Sequence, residues 1–329
     1  MAPSHTDNEL VSNDAAVAAV IPCYREKASI LEVLKRFPDS VNYIIVVDDA
    51  CPDDTGSFVR ERCSDDRVIV IRHEKNAGVG GATLTGYQKA IELGADIIVK
   101  VDGDGQMDPN MIGLLIRPIL GHQADYAKGN RFFRLSGLSD MPKLRLVGNL
   151  ALSFASKMSS GYWKIFDPTN GFTAIHAKVV KELPIDKIDP TYFFESDMLF
   201  HLNIARAVVA DVPIQAIYGD ESSSLKISRI LMPFMGKHVG NLVRRIFYSY
   251  FLRDFSIASI ELFFGVGLLA FGGIFGIASW YESVSTGIAA ATGVIILAAL
   301  PFLIGSQLII SFLNFDVQNQ PNSPIHPYL

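Results

Sequence analysis

Two aspartates separated by one residue stand in a glycine-rich segment. The segment DGDGQ (102–106) follows the apolar run 97–101 directly and contains Asp102 and Asp104. Carboxylates at this spacing can converge on one hard divalent cation. Mg²⁺ and Mn²⁺ prefer oxygen ligands and are often held by one or two carboxylates together with phosphate oxygens. The spacing therefore predicts a site for Mg²⁺ or Mn²⁺.

Two other interpretations of this segment were considered. A calcium-binding EF-hand loop needs Gly at position 6 and Glu at position 12. Counted from Asp102, those positions hold Met107 and Gly113, so the EF-hand is excluded. A solvated acidic turn that binds nothing stays an alternative for this motif taken alone.

Polar segments follow other apolar runs in the same way. From residue 15 to residue 101, short apolar runs alternate with helical patterns, which is typical of a parallel sheet covered by helices on both faces. Ligands of such sheets bind outside the carboxyl ends of the strands. We therefore expect four segments to line one crevice: 22–26, 48–49, 73–81 and 102–106.

The glycines of GVGG (78–81) do not form a dinucleotide-binding fingerprint. The pattern G-x-G-x-x-G/A needs Gly or Ala where this chain has Thr83, and no Walker A motif is present. A bound dinucleotide cofactor is therefore not expected.

Charge and apolar content separate the chain into two parts. Lys plus Arg number 29 and Asp plus Glu 34 of 329 residues, so a net charge of −5 argues against nucleic-acid binding. Residues 262–280 and 283–315 carry no charge over 19 and 33 positions. Because a bilayer core needs about 20 apolar helical residues, two transmembrane helices joined by a turn at 281–286 are predicted.

A basic segment precedes the first predicted span. Residues 226–253 contain six Lys or Arg and no acidic residue, with apolar side chains interleaved. This pattern is typical of an amphipathic helix on an anionic membrane surface, although an ordinary basic surface helix stays an alternative. No Lys or Arg follows Arg253, so the domain before the spans and the tail after them are expected to be cytoplasmic.

Several motifs, taken together and in order, resemble a known family. They are IPCYREKASI, IIVVDDACPDDT, HEKNAGVGGATLTGYQKA, VDGDGQMDP and DPTNGF. The set resembles family 2 glycosyltransferases with the GT-A fold. Within that family the chain is most similar to polyprenyl-phosphate glycosyltransferases, namely the dolichol-phosphate mannose synthases and their bacterial two-span relatives.

The resemblance implies a role for individual residues. It assigns the metal to Asp102, Asp104 and Gln106, and the catalytic centre to Asp104, Asp167, Arg131 and Arg145. The nucleotide-sugar pocket is assigned to Pro22, Tyr24, Glu26, Asp48, Gly78 and Asp102. The acceptor phosphate is assigned to Arg131, Arg145 and Lys226.

The residue patterns and the resemblance together predict an architecture. It comprises a disordered tail (1–14), a cytoplasmic α/β domain with a Rossmann-like, mostly parallel sheet (15–225), basic interfacial helices (226–258), two transmembrane helices (259–316) and a cytoplasmic tail (317–329). Small residues in the spans, among them Gly265, Gly267, Gly272, Gly273 and Gly276, permit close helix packing, so a homo-oligomer is expected.

The implied function is a metal-dependent, inverting transfer of a sugar at the inner (plasma) membrane. The expected donor is UDP-glucose and the expected acceptor is undecaprenyl phosphate. GDP-mannose or another UDP-sugar is an alternative donor. A processive polysaccharide synthase is disfavoured, because its additional spans and its Q-x-x-R-W motif are not visible. A non-catalytic membrane scaffold that keeps the fold is the alternative from a different class.

Overall fold

A computed structural model describes residues 15–131, 143–167, 170–214 and 227–329; for residues 143–147, 149 and 227–231 it describes the backbone alone. The predicted tail at 1–14 lies outside the described residues. The chain forms two compact units. The first unit extends to Leu242 and also includes Pro321–Leu329, and the second is Val243–Gln320.

The first unit is built on a seven-stranded sheet. Its strands are β1 (Val17–Cys23), β2 (Tyr43–Asp48), β3 (Val68–Arg72), β4 (Ile97–Lys100), β5 (Tyr126–Asn130), β6 (Thr173–His176) and β7 (Val209–Pro213). Their order across the sheet is β3-β2-β1-β4-β6-β5-β7, and β6 runs antiparallel to both of its neighbours. The other adjacent pairs are parallel, which confirms the predicted mostly parallel α/β sheet.

Helices lie between these strands along the chain and follow the last one. They are α1 (Ile30–Lys35), α2 (Thr55–Arg62), α3 (Gly78–Glu92), α4 (Ile112–Leu120), α5 (Lys143–Ser160), α6 (Ala177–Glu182), α7 (Phe194–Ile204) and α8 (Ile227–Phe247).

Alternate side chains of the central strand enter two different cores. Ala18 and Val20 of β1 pack in the core that includes α3 and α7, whereas Ala19 and Ile21 pack in the core that includes α1 and α4. Successive side chains of a strand point to opposite faces, so a strand that is apolar at every position is buried on both. This is why the run 15–21 reads as continuously apolar.

The sequence misplaces the end of one helix. The residue pattern predicts a helix over 193–209 and a short strand over 212–218. In the structure α7 ends at Ile204 and β7 is Val209–Pro213; residues 215–218 lie outside the described residues. Arg206 adopts a left-handed conformation (φ +64°), which ends the helix, and the Asp125 carboxylate then accepts the N–H of Val208 at 2.8 Å.

The segment Pro321–Leu329 packs onto the first unit. The buried Asp125 carboxylate accepts the backbone N–H groups of Ile325 and His326 at 2.9 and 2.8 Å and the Nδ1 of His326 at 2.8 Å. The His326 ring also stacks on His176, with centroids 4.4 Å apart. The end of the predicted C-terminal tail (317–329) is therefore held in place by contacts with Asp125 and His176.

We expect His238 to make the first unit less stable in mild acid. His238 is 2% exposed, its Nδ1 lies 2.8 Å from Ser159 Oγ and its Nε2 has no partner among the described residues. Burial lowers the pKa of His238 to about 4. In the unfolded chain the same group titrates near ~6.5. The unfolded state therefore binds a proton first, and stability falls as pH drops from about 6.5 towards 4.

The size of this effect is roughly 1–2 kcal/mol of unfolding free energy between pH 7 and pH 5. The variant His238→Asn keeps an N–H donor near Ser159 but does not titrate there. Its melting temperature should fall less than that of the wild type when both are scanned at pH 7 and pH 5. Equal losses in both proteins would show that His238 does not carry the effect.

The second unit contains two long apolar helices. Helix α9 (Ile257–Thr286) and helix α10 (Thr292–Gln318) have 30 and 27 residues, and both are long and apolar enough to cross a membrane. A π-helical segment, Tyr248–Arg253, precedes them. A buried pair fixes the end of α10: Arg245 Nη1 and Nη2 lie 2.6 and 2.9 Å from the two oxygens of Asp316.

The turn between the two long helices lies later than predicted. Residues 281–286, the expected turn, form the last turn of α9, and the connection is 287–291. Gly287 ends the helix in a left-handed conformation (φ +69°), which glycine adopts at little cost. The turn was predicted at 281–286 because Glu282 lies between the two uncharged stretches. A charged residue does not by itself end a helix.

The glycines of the spans divide into two groups. A Cβ on Gly272 would lie 2.7 Å from the backbone N of Phe302, and one on Gly265 would lie 3.0 Å from Ile309, so both are used for packing within the hairpin. Gly267 and Gly273 have no atom near the corresponding position. Close packing inside the chain thus accounts for part of the small-residue pattern, and the homo-oligomer stays a prediction.

Candidate active site

The two predicted metal-binding aspartates lie together where β4 ends. Asp104 Oδ1 accepts the backbone N–H of Gln106 at 2.9 Å, which closes a tight turn, and Gly105 in that turn has φ +79°. Asp102 Oδ1 accepts from Lys100 Nζ at 2.7 Å, and the Asp102 side chain is 30% exposed. Both carboxylates are therefore held locally while part of Asp102 faces solvent.

These residues fit an ion of the Mg²⁺ or Mn²⁺ type. Among the side chains that the structure describes, no three His, Cys, Asp or Glu are grouped as a metal site. Two carboxylates alone suit a hard cation that completes its coordination with water and substrate phosphates, rather than a closed structural site. Asp102 and Asp104 supply that donor set, and the exposed Gln106 stands beside them in the turn.

A buried lysine stands next to Asp102. Lys100 is 1% exposed, and its Nζ also lies 3.2 Å from Oε1 of Glu195, at the start of α7. Burial alone would lower the pKa of Lys100, but the carboxylates of Asp102 and Glu195 outweigh burial and raise that pKa above its usual range. Lys100 is therefore a cation. Neither Lys100 nor Glu195 was predicted as a site residue.

The DPTNGF segment approaches this lysine closely. A Cβ on Gly171 would lie 2.5 Å from Lys100 Nζ and 2.7 Å from Asp102 Oδ2, distances that real Cβ atoms do not show. Glycine at 171 thus allows the backbone to reach Asp102 and the turn at 102–106. The preceding Asn170 is fixed as well. Its side-chain Nδ2 donates to Gly129 O at 2.7 Å, and its backbone carbonyl accepts from Nζ of the buried Lys128. Burial lowers the pKa of Lys128 to about 8.

Arg131 and Asp167, predicted separately, form one ion pair. Arg131 Nε and Nη2 lie 2.8 and 3.1 Å from the two oxygens of Asp167, a two-pronged arrangement. The Asp167 side chain is 2% exposed and that of Arg131 34%. Asp167 therefore orients Arg131, and the guanidinium is the part of the pair that solvent reaches.

The other two predicted acceptor residues are described less fully. Arg145 lies in the first turn of α5, where the backbone alone is described. Lys226 lies outside the described residues. Their contact with an acceptor phosphate stays a prediction.

The end of β1 lies beside the turn at 102–106. Ser29 Oγ donates to Gly103 O at 2.7 Å and lies 3.3 Å from Glu26 Oε2, so the loop after Pro22 is tied to residues 102–106. Tyr24 is 44% exposed, with the Arg25 guanidinium over its ring. The structure thus brings the segment of the predicted nucleotide residues Pro22, Tyr24 and Glu26 next to the turn at 102–106, which carries the predicted metal ligands.

Asp48 is buried at the end of β2. Its carboxylate is fully buried and accepts the N–H groups of Cys51 and Gly56 at 2.7 and 2.6 Å. A carboxylate at the beginning of α2 is favourable, because the N–H groups there have no partner within the helix. Asp48 therefore stabilises the loop between β2 and α2 by accepting these N–H groups. Its assignment to the nucleotide-sugar pocket stays a prediction.

Asp49, which the sequence placed in the crevice segment 48–49 without a role of its own, holds the start of α3. Its carboxylate accepts the N–H groups of Ala77 and Gly78 at 2.7 and 2.8 Å and lies 2.7 Å from His73 Nδ1. Gly78 has φ +85°, and a Cβ there would lie 2.4 Å from Pro190 O. The backbone conformation and this close contact are therefore enough to explain glycine at position 78. Gly78 was assigned to the nucleotide pocket, and in the structure its N–H donates to the Asp49 carboxylate.

Comparison with known proteins identifies the motifs. The model of the family described as "Glycosyl transferase family 2" matches residues 18–184. The UDP-N-acetylglucosamine–dolichyl-phosphate N-acetylglucosaminyltransferase of Methanococcus voltae is 34% identical over 68% of this chain and 98% of its own. The undecaprenyl-phosphate mannosyltransferase of Micrococcus luteus is 28% identical over 69% of this chain and 93% of its own.

Solved structures share the fold. The glucosyl-3-phosphoglycerate synthase of Mycobacterium tuberculosis superposes with a TM-score of 0.54 at 20% identity, over 74% of this chain and 86% of that one. The same enzyme in complex with Mn²⁺, UDP-glucose and glycerol 3-phosphate gives a TM-score of 0.53 at 19% identity, with the same coverage. At this identity the likeness speaks for the fold alone, and it confirms the expected GT-A type.

Proposed function

The chain belongs to glycosyl transferase family 2, and we propose that it transfers a sugar from a nucleoside diphosphate to a polyprenyl phosphate. The observation that carries the proposal is that the carboxylates of Asp102 and Asp104 and the partly exposed Arg131 follow the carboxyl ends of β4 and β5. Asp102 and Asp104 would hold a divalent cation that binds the donor diphosphate, and Arg131 would bind the acceptor phosphate. The names of the relatives from Methanococcus voltae and Micrococcus luteus give both a sugar and a polyprenyl phosphate, which supports this assignment.

The proposed step is a single displacement. An oxygen of the acceptor phosphate attacks the anomeric carbon of the sugar, and the bond from that carbon to the diphosphate breaks. The electron pair leaves with the nucleoside diphosphate, and the anomeric configuration is inverted. Asp102 and Asp104, with Gln106, would hold Mg²⁺ or Mn²⁺, whose chemistry when bound is to neutralise charge on the leaving diphosphate.

The acceptor determines which residues the step needs. A phosphate monoester is largely ionised at pH 7, so its oxygen is already a nucleophile and needs no strong general base. It does need cations, because it must approach an anionic donor. Arg131, oriented by Asp167, can bind phosphate with two N–H groups, and Arg145 and Lys226 are proposed as further cations on the acceptor side.

The apolar helices fit an acceptor that stays in the bilayer. Helices α9 and α10 are proposed to span the inner (plasma) membrane as a multi-pass hairpin, with the first unit on the cytoplasmic side. The absence of Lys and Arg after Arg253 supports this orientation. The basic segment 226–253 is proposed to lie on the membrane surface, where the acceptor headgroup is located.

The donor is proposed as a UDP-sugar. Glucose was the expectation from sequence, whereas the relatives' names give N-acetylglucosamine and mannose. UDP-glucose and UDP-N-acetylglucosamine are therefore the two candidate UDP-sugars, and GDP-mannose is the competing donor.

A donor panel tests the proposal. The full chain, purified in detergent, is incubated with undecaprenyl phosphate, Mn²⁺ and one radiolabelled donor: UDP-glucose, UDP-N-acetylglucosamine or GDP-mannose. Label should enter the lipid extract with one donor well above the others, and only when undecaprenyl phosphate is present. Absence of label in lipid with every donor would favour the non-catalytic scaffold.

A further inference from the structure

One buried lysine connects three segments of the active site. The Nζ of Lys100 lies 2.7 Å from Asp102 Oδ1, 3.2 Å from Glu195 Oε1 and 3.5 Å from the carbonyl oxygen of Gly171. A lysine ammonium has three N–H donors, and three oxygens surround this one. Lys100 thus joins the turn after β4, the loop before β6 and the start of α7.

The arrangement divides the two oxygens of Asp102. Oδ1 accepts from Lys100, whereas Oδ2 accepts no hydrogen bond from any described residue. Since the Asp102 side chain is 30% exposed, one oxygen is held by the protein and the other is left for a ligand. A charge-assisted hydrogen bond of this length fixes the carboxylate plane as well as its position.

Glu195 holds the lysine in turn. Its side chain is 11% exposed, and a charged carboxylate at that burial needs a cation. Glu195 lies 95 positions from Lys100 in sequence, and the contact depends on how α7 packs. Without Glu195, Lys100 would have one carboxylate partner and more freedom to move. The pair therefore makes the position of Asp102 depend on α7.

We propose that Lys100 is a positioning residue, which fixes Asp102 for the divalent cation and is itself fixed by Glu195. The inference rests on the proposed function, because it assumes that Asp102 binds the ion that meets the donor diphosphate. Residues that orient a metal ligand typically contribute roughly 10- to 100-fold to metal affinity.

The test separates positioning from charge balance. Lys100→Met keeps the length of the side chain but leaves Glu195 buried without its lysine, so this variant should be less stable. The double variant Lys100→Met/Glu195→Gln removes both charges and should regain most of the lost melting temperature. Lys35→Met, which removes a lysine that is 70% exposed on α1, controls for the change of net charge.

The readout is Mn²⁺-dependent binding of UDP to the full chain in detergent, by titration calorimetry, together with the melting temperature. We expect the double variant to melt close to the wild type yet to need roughly 10- to 100-fold more Mn²⁺ for UDP binding. A double variant that regains both stability and Mn²⁺ affinity would reduce Lys100 to a partner of Glu195 and overturn the inference.

The wild type and the control decide the remaining cases. Lys35→Met should bind like the wild type, and a loss of Mn²⁺ affinity equal to that of the single variant Lys100→Met would assign that variant's loss to the removal of one positive charge, against the inference. A wild type that binds UDP equally well without Mn²⁺ would contradict the metal site, and with it both the proposed function and the role of Lys100. Normal Mn²⁺-dependent binding in both wild type and double variant would contradict the role of Lys100 alone.

Discussion

The variant Asp104→Asn is expected to lose sugar transfer by about 100- to 1000-fold. A bound cation contributes several kcal/mol to stabilising charge on a leaving diphosphate, and each 1.36 kcal/mol corresponds to about a factor of ten in rate. Asparagine keeps the oxygen that accepts the N–H of Gln106, so the turn should survive the substitution. The loss should therefore appear in transfer and not in folding.

The measurement is the initial rate of lipid labelling at saturating Mg²⁺ or Mn²⁺, with the melting temperature recorded in parallel. Asp66→Asn, which removes an exposed carboxylate from the turn before β3, is the matched control. It should transfer at the wild-type rate. Near-normal transfer by Asp104→Asn would contradict the assignment of the metal site.

The second large effect is expected at Arg131. Loss of a charge-assisted phosphate contact costs about 1.5–3 kcal/mol, which corresponds to roughly 10- to 100-fold in the apparent KM or the kcat for polyprenyl phosphate. Arg131→Lys should keep only part of the function, because lysine cannot make the two-pronged contact. Arg145→Ala is expected to act in the same direction.

The ion pair with Asp167 determines the choice of variant. Arg131→Ala alone leaves the buried Asp167 carboxylate without its cation. Breaking a fully buried pair costs about 3–5 kcal/mol of stability, and the cost here is smaller because the Arg131 side chain is 34% exposed. The double variant Arg131→Met/Asp167→Asn removes both charges and isolates the effect on the acceptor. Its UDP binding should match the wild type while its acceptor kinetics are weakened. Weakened UDP binding with unchanged acceptor kinetics would refute the role of Arg131.

The parts of the site that follow single strands were predictable from sequence. The run 97–101 ends at DGDGQ, so its position at the carboxyl edge of a parallel sheet follows from the order of the elements. The loops after β1 and β2 followed by the same rule. In each case a local pattern and one general property of parallel sheets suffice.

The contacts that depend on tertiary packing were not predictable in this way. A lysine inside the apolar run IIVK is a signal that Lys100 is unusual, but nothing local points to Glu195, 95 positions away. Adjacent residues posed a similar problem. Asp48 and Asp49 are alike in sequence, yet Asp48 supports the start of α2 and Asp49 the start of α3. Their roles depend on which backbone N–H groups the fold brings near.

The central claim is that the lipid phosphate attacks the anomeric carbon of the sugar, and the nucleotide released by the reaction tests it most directly. With the donor that labels lipid, the released nucleotide is identified by chromatography and counted against the labelled lipid. Attack at the sugar carbon breaks the bond to the diphosphate, so we predict one nucleoside diphosphate per lipid-linked sugar. Release of the nucleoside monophosphate in equal amount would mean attack at phosphorus and would contradict the account.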